Sequence, residues 1–272
     1  MPKLSIITIN LNNSAGLQKT MASVFGQTFT DYEYLVIDGG STDGSIDEIK
    51  KHQNKLVYWM SEKDKGIYHA MNKGIQQVKG EYLLFLNSGD YLVNNEVITQ
   101  LVAASEGRDI VYGVMVVDDN GKLYNKDYPE RLSFSYFLKD TLPHSCSLIK
   151  RRLFLEFELY NENLRSTSDW AFFLNMICKY NATYKRVPLP FAVFNMDGIS
   201  SQKENWEWIL NDKKDVLKKN YSAFLDDYKR MDECELQLKK YSQQLINIEN
   251  SRLWKVRNRV VGFSVVKFFF KK

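Results

Sequence analysis

Residues Glu81–Asp90, Glu-Tyr-Leu-Leu-Phe-Leu-Asn-Ser-Gly-Asp, pass from apolar and aromatic side chains straight into a polar turn. The run Tyr82–Leu86 lacks any polar alternation, which predicts a strand buried on both faces, as in a parallel sheet. Its abrupt polar end constrains the fold most, because ligands of open α/β sheets bind in the crevice at the carboxyl ends of strands. A carboxylate there, with Gly89 allowing close approach, suits a divalent cation carrying a phosphate. In isolation a plain Ser-Gly-Asp turn would read the same way.

The chain before this stretch repeats the pattern. Leu4–Ile9 reads as a first buried strand, followed by the polar loop Asn10–Ser14, with Ser14 placed to cap a helix. Leu17, Thr20, Met21, Val24 and Phe25 recur at helical spacing and Gly26 ends that helix. Glu33–Ile37 is a second strand, closed by Asp38-Gly39-Gly40-Ser41-Thr42-Asp43-Gly44-Ser45, and Ile46 opens another helix. Leu56–Met60 reads as a third strand, and Ile67, Ala70, Met71, Ile75 and Val78 mark one face of a helix stopped by Gly80. Alternating strands and helices predict a mostly parallel sheet with right-handed crossovers. The polar ends after Ile9, Ile37 and Leu86 then line one rim.

The middle is less regular. Asp109–Val117 and Gly121–Asn125 read as a strand pair joined by Asp118-Asp119-Asn120-Gly121, a hairpin signal. Leu148–Phe154 is an apolar and basic run; Ser166–Asp169 starts a helix whose buried face holds Trp170, Phe173, Leu174, Ile177 and Cys178. Val187–Val193, broken by Pro188 and Pro190, reads as an edge strand, and Gly198–Ser200 as a loop. From Trp206 the chain turns charged and helical. Met231, Cys234, Leu238, Tyr241, Leu245 and Ile248 alternate spacings of three and four, a short heptad seam compatible with a homodimer or with a helix laid back on the body. The divisions expected are 1–205, 206–250 and 251–272.

Composition closes off several classes. Cys146, Cys178 and Cys234 form no close pair, so a disulfide framework or zinc site is not expected and a reducing compartment is. The first ten residues do not read as a signal peptide. No apolar run reaches the roughly 18 residues of a spanning helix. The overall charge of +4 conceals a tail carrying seven basic and no acidic side chains over 251–272, which leaves the first 250 residues at −3 (4 − 7). The body is therefore not a nucleic-acid binder by charge. The tail mixes its charges with apolar side chains, which suits a helix lying on an anionic membrane surface.

The rim offers Asp38 and Asp43 as acceptors for a base imide or ribose hydroxyls, although Asx turns use the same residues. No Gly-x-Gly-x-x-Gly follows the first strand and no P-loop lysine is present, so the dinucleotide and ATP fingerprints are missing.

Ser5–Asn10, Ser23–Thr28, Val36–Ser45, Ser61–Gly74 and Phe85–Asp90, in this order, resemble the family-two glycosyltransferases of bacterial polysaccharide synthesis, over roughly residues 3–200. The resemblance implies a GT-A fold, α/β with a mostly parallel central sheet flanked by helices, here with a C-terminal helical extension. It implies a nucleotide-diphosphate sugar donor (a UDP-sugar), a divalent metal (Mn2+ or Mg2+), and hexosyl- or N-acetylhexosaminyl transfer with inversion. The acceptor would be a saccharide or lipid-linked saccharide at the inner face of the cytoplasmic membrane. By position, Thr8, Asn10, Asp38 and Asp43 would hold base and ribose, and Asp64, Lys65, Tyr68 and Asn72 would border the nucleotide and diphosphate. Asp90 would bind the metal. Asn87 and Gly89 stand where many relatives carry carboxylates, and His69 where they carry Asp.

Inverting transfer also needs a base for the acceptor hydroxyl. Asp169, in Thr-Ser-Asp-Trp, resembles the family's base; His144, after Pro143, resembles a histidine near the acceptor, and Asn87 and Trp170, which follows Asp169, are expected with it near the acceptor or in a second tier behind it. A second reading, a catalytically weak relative serving as an assembly subunit, follows from the depleted Asn87–Asp90 stretch and the heptad seam. A sugar-1-phosphate nucleotidyltransferase would need a Gly-rich, Arg-containing loop after the first strand, and none is present.

Overall fold

The structure, a computed structural model, describes residues 1–196, 206–251 and 254–255. Packing divides the chain into a unit Met1–Lys214 and a unit Asp215–Lys272. The first unit opens as the sequence predicts, with β1 (Leu4–Asn10), α1 (Ser14–Phe25), β2 (Tyr32–Asp38), α2 (Ser45–Lys51), β3 (Tyr58–Ser61), α3 (Ile67–Gln77) and β4 (Tyr82–Phe85). Every residue of β1 and β4 is buried, the consequence of covering a parallel sheet with helices. The cap of α1 is Asn13 rather than Ser14: the Asn13 side chain accepts from the Gly16 amide, and Ser14 is the first helical residue.

β2 and β4 flank β1 in parallel, and β3 lies parallel to β2. Register places Asn10 opposite Asp38, so the two strands end on one level. Beyond β4 the sheet is mixed. β5 (Tyr91–Leu92) and α4 (Val97–Ala104) lead to β6 (Ile110–Asp119) and β7 (Lys122–Lys126), then to α5 (Phe134–Lys139), β8 (Ser147–Lys150), α6 (Arg151–Glu156), α7 (Ser168–Cys178) and β9 (Tyr184–Asn195). The order is β3-β2-β1-β4-β8-β6-β9-β5, with β7 hydrogen-bonded to β6. β8 runs antiparallel to both β4 and β6, and β9 runs parallel to β6. The β6–β7 turn has positive φ at both Asn120 (52°) and Gly121 (87°), as a tight hairpin requires.

β9 is not the edge strand its prolines suggest. It is paired with β6 on one side and, at Ala192 and Val193, with β5 on the other. Pro188 and Pro190 fall before the β5 pairing begins, and the register with β6 shifts on both sides of the Val114–Pro190 pair, the local irregularity expected where a strand carries prolines. The run Leu148–Phe154 likewise divides at Lys150 into the end of β8 and the start of α6.

α8 (Trp206–Asn250) leaves helical geometry at Tyr221, where φ is −137°. Its first turns belong to the first unit and its remainder to the second. Met231, Leu238, Tyr241, Leu245 and Ile248 of the seam are all exposed. Among the described residues no helix is long and apolar enough to cross a membrane. The loop Gly198–Ser200 and nearly all of the tail 251–272 lie outside the described residues.

Candidate active site

The carboxyl ends of β1 and β2 are tied together by Asp38, which is fully buried. Its Oδ1 accepts from Asn10 Nδ2 (2.7 Å) and Ser41 Oγ (2.6 Å); its Oδ2 accepts from the amides of Gly40 (3.1 Å) and Ser41 (2.9 Å) and from Ser61 Oγ (2.6 Å). Burial works to raise this carboxyl, but the donors, Ser41 and Ser61 foremost, outweigh it and hold it below the usual carboxylate range. Gly40, at φ 83°, supplies the turn that folds its own amide back onto Asp38. Asp43 acts similarly one turn on, accepting from the Ser14 amide (2.8 Å) and from Ser45 Oγ (2.6 Å). Asn10 thereby has a fixed amide whose Oδ1 is buried and without a hydrogen-bond partner.

Not every expected nucleotide contact faces this rim. Thr8 is fully buried with its hydroxyl 2.9 Å from the Tyr34 hydroxyl, a rung below the rim. Asn72 is consumed by bonds to the Tyr160 backbone on both sides of its amide and to Glu162 (2.9 Å), which fasten α3 to the loop before α7. Asp64 lies against Gly39, where a Cβ would come 3.2 Å from its Oδ2, and its Oδ1 takes the Lys73 ammonium (2.5 Å) and His69 Nδ1 (3.2 Å). His69 therefore braces Asp64. The Lys65 amide nitrogen lies 3.3 Å from the same His69 Nδ1, which can accept from it only in the tautomer that gives up the bond to Asp64, and Lys65 is exposed.

The end of β4 carries the next group. Gly89 has φ 106°, which only glycine adopts cheaply, and its amide donates to Thr20 Oγ1 (3.0 Å). That turn aims Asp90 inward: Oδ1 accepts from the Asn195 amide (3.1 Å), while Oδ2 is buried with no hydrogen-bond partner. Burial pushes this carboxyl up to about 7, the Asn195 bond and the His144 charge opposing it only in part. A carboxylate oxygen left unclaimed in the interior fits a hard cation. Among the described residues no cluster of three His, Cys, Asp or Glu surrounds it.

A chain of side chains then runs from Asn87 to α3. Asn87 Nδ2 lies 3.1 Å from His144 Nε2, and His144 Nδ1 lies 3.1 Å from Asp169 Oδ2. Tyr68 donates to Asp169 Oδ1 (2.8 Å), as does the Trp170 amide (2.9 Å). Tyr68, expected beside the nucleotide, has its hydroxyl on this carboxylate. Burial works to raise Asp169, but the His144 bond and charge, then Tyr68, outweigh it and hold the carboxyl low. The same pairing raises His144 against its own burial. In this arrangement a neutral imidazole accepts from Asn87 and donates to Asp169. Asn87 turned end for end would offer a protonated Nε2 its Oδ1, which has no partner.

Sequence reasoning missed a cavity of about 230 Å3 that opens beside this pair, walled by Ser166, Thr167, Trp170, Phe194 and Lys213. Trp170 itself is a floor, 1% exposed, its indole donating to the Phe137 carbonyl (2.6 Å). Ser41 lies in the Asp38–Ser45 loop, where a serine beside an aspartate is the only local signal of its bond to Asp38; Lys213 has no local signal beyond the aromatic start of its helix, Trp206 and Trp208.

A family model described as Glycosyl transferase family 2 matches residues 5–159. An uncharacterized glycosyltransferase of Mycobacterium tuberculosis (strain CDC 1551 / Oshkosh) is 32% identical over 75% of this chain and 79% of its own length. A PGL/p-HBAD biosynthesis glycosyltransferase of Mycobacterium bovis BCG is 31% identical over 66% of this chain and 71% of its own. Among solved structures, S. aureus TarS 1–349 in complex with UDP superposes with a TM-score of 0.59 at 20% identity. That match covers 71% of this chain and 60% of the TarS fragment, a likeness of fold. The fold is GT-A.

Proposed function

The chain belongs to glycosyl transferase family 2 and is a glycosyltransferase, and from that premise we propose that it moves a sugar from a UDP-sugar to a saccharide hydroxyl with inversion. The observation that carries the reading is the row of unclaimed acceptor oxygens along one rim, Asn10 Oδ1 and Asp90 Oδ2, next to the Asp169–His144 pair. Asn10 Oδ1 would accept from the imide N–H of uracil, and Asp38 and Asp43 hold the loop beneath the ribose. A divalent cation at Asp90 would neutralise charge on the departing diphosphate.

Asp169 is the base. Its Oδ1 already accepts two hydrogen bonds and its Oδ2 only one, so Oδ2 keeps a lone pair for the proton of the acceptor hydroxyl. As that proton reaches Oδ2, the acceptor oxygen bonds the anomeric carbon from the face opposite the diphosphate, and the bond to the diphosphate breaks. Trp170 and Tyr68 fix the carboxylate; His144 orients it from the other side. The protein works in glycan biosynthesis, and the seven basic side chains interleaved with apolar ones over 251–272 support a site at the inner face of the cytoplasmic membrane, where a lipid-linked acceptor would be reached.

Calorimetry with UDP, with and without Mn2+, tests the reading. Wild-type protein should bind UDP with Mn2+ present and Asn10→Ala should bind it about tenfold or more weakly, as expected when a buried hydrogen bond is lost. Absence of UDP binding by the wild type under either condition would overturn it.

A further inference from the structure

The cavity beside Asp169 holds polar groups that the catalytic pair does not engage. Thr167 Oγ1 and Ser166 Oγ are buried in it without hydrogen-bond partners, and Thr167 is 2% exposed. Orphaned hydroxyls of this kind are satisfied by a ligand or by water. Lys213, in the first turns of α8, also lines the cavity, its Nζ 5.0 Å from the centre of the Trp170 ring. Burial presses this ammonium down from its ordinary value, against the pull of Asp169 and Asp140. Neither carboxylate pairs with it. Asp140 takes Lys126 (2.9 Å), and Asp169 takes His144 and Tyr68. Among the described residues Lys213 has no ion pair.

We propose that this cavity seats the acceptor and that Lys213 selects a saccharide bearing a carboxylate or phosphate close to the hydroxyl that is glycosylated. Of the charged side chains that line the cavity, Lys126 is taken by Asp140 and Asp169 by His144, which leaves the Lys213 ammonium as the group without an ion pair among the described residues. A half-buried ammonium without a counter-ion is costly to maintain, and an anionic ligand is what removes the cost. The Trp170 indole beneath Lys213 steers its head group without neutralising it. Ser166 and Thr167 would bond the sugar hydroxyls, and Asp169 Oδ2 would meet the one that reacts. The inference rests on the glycosyltransferase reading of the rim and adds the charge of the acceptor to it.

The test uses full-length protein and three small probes: methyl glucuronoside, glucose 1-phosphate and methyl glucoside. With UDP and Mn2+ present, at least one charged probe should bind wild type about tenfold or more tightly than methyl glucoside, the discrimination expected of a charge-assisted hydrogen bond. Which charged probe wins identifies the group. Lys213→Met keeps the stem over Trp170 and loses the charge, so the preference should vanish; Lys213→Arg should retain it. Equal binding of charged and neutral probes, a preference that survives in Lys213→Met, or no measurable binding of either charged probe would overturn the proposal. UDP affinity of the wild type, read on the same samples, reports separately on the glycosyltransferase reading.

Discussion

Asp169 and His144 are each visible in the sequence as candidates, but their pairing is not: 25 residues separate them, and only the approach of α7 to the turn before β8 makes them partners. Side-chain direction was equally hidden. Thr8 and Asn72 have the residue types of ligand contacts, yet Tyr34 and Tyr160 claim them. The base assignment predicts that Asp169→Asn, which keeps shape but cannot take a proton, lowers transfer by ~10²–10⁴ while UDP binding persists. Steady-state rates against UDP calorimetry check it; near-normal transfer with a lowered melting temperature would leave Asp169 only a structural brace in the first turn of α7, whose N-cap is Thr167. The pair also makes a stability prediction. His144 is raised above 6.5 through Asp169, with the Asp90 charge adding to it and burial opposing. Its contribution is therefore complete below pH 6.5 and fades as pH climbs through the raised folded value. Asp169 is lowered below 3.8, so its own contribution is present above pH 3.8 and fails only in stronger acid. Lys213 and Tyr68 face the same carboxylate. The melting temperatures of wild type and His144→Gln, measured from pH 5 to 9, should differ most at the acidic end and converge as pH rises.

At the scale of elements, the legible half of the sheet is the half built by repetition. Each strand–helix step from β1 to β4 carries its own apolar pattern, so the parallel order and common rim follow from short-range signals. β8, β9 and the mixed half rest on pairings between residues far apart, such as Ile110 with Ile149, which no local pattern encodes. Glycine spacing did encode one joint. Gly80, read as the stop after α3, is also the point where β4 begins against β1: a Cβ there would sit 2.4 Å from Ser5 Oγ and 2.6 Å from the Ser5 amide nitrogen. The Gly80 amide donates to Ser5 Oγ and to Glu33, so neither neighbour is free to yield. Gly80→Ala should destabilise the first unit by ~1–3 kcal/mol, the usual cost of overpacking a filled core. Urea unfolding gives the value, and an unchanged midpoint would mean that β1 shifts to make room.

Charge is arranged over the whole molecule rather than within the site. The first 250 residues sum to −3 and the last 22 to +7, so the positive charge is concentrated in one stretch of sequence that is also rich in apolar side chains. Leu253, Trp254, Phe263 and Phe268–Phe270 are interleaved with Arg252, Lys255, Arg257, Arg259, Lys267, Lys271 and Lys272. Each Lys or Arg near an anionic leaflet is worth ~1 kcal/mol, and the aromatic side chains add apolar burial that salt does not screen. Charges distributed along the segment exclude spanning, so it would lie in the headgroup layer. The competing role is assembly, with the exposed seam Leu238, Tyr241 and Leu245 meeting a second copy and the tail prolonging that contact. The two roles separate in one experiment. Full-length protein should float with phosphatidylglycerol vesicles at low salt and largely stay behind with neutral vesicles or at 0.5 M salt, where the Debye length falls below ~5 Å. A chain ending at Asn250 should not float under any of these conditions, and its sedimentation behaviour should match that of the full-length protein. If both chains float alike, or neither does, the tail is not a membrane anchor. If truncation instead dissociates a dimer, the basic segment belongs to the interface between copies.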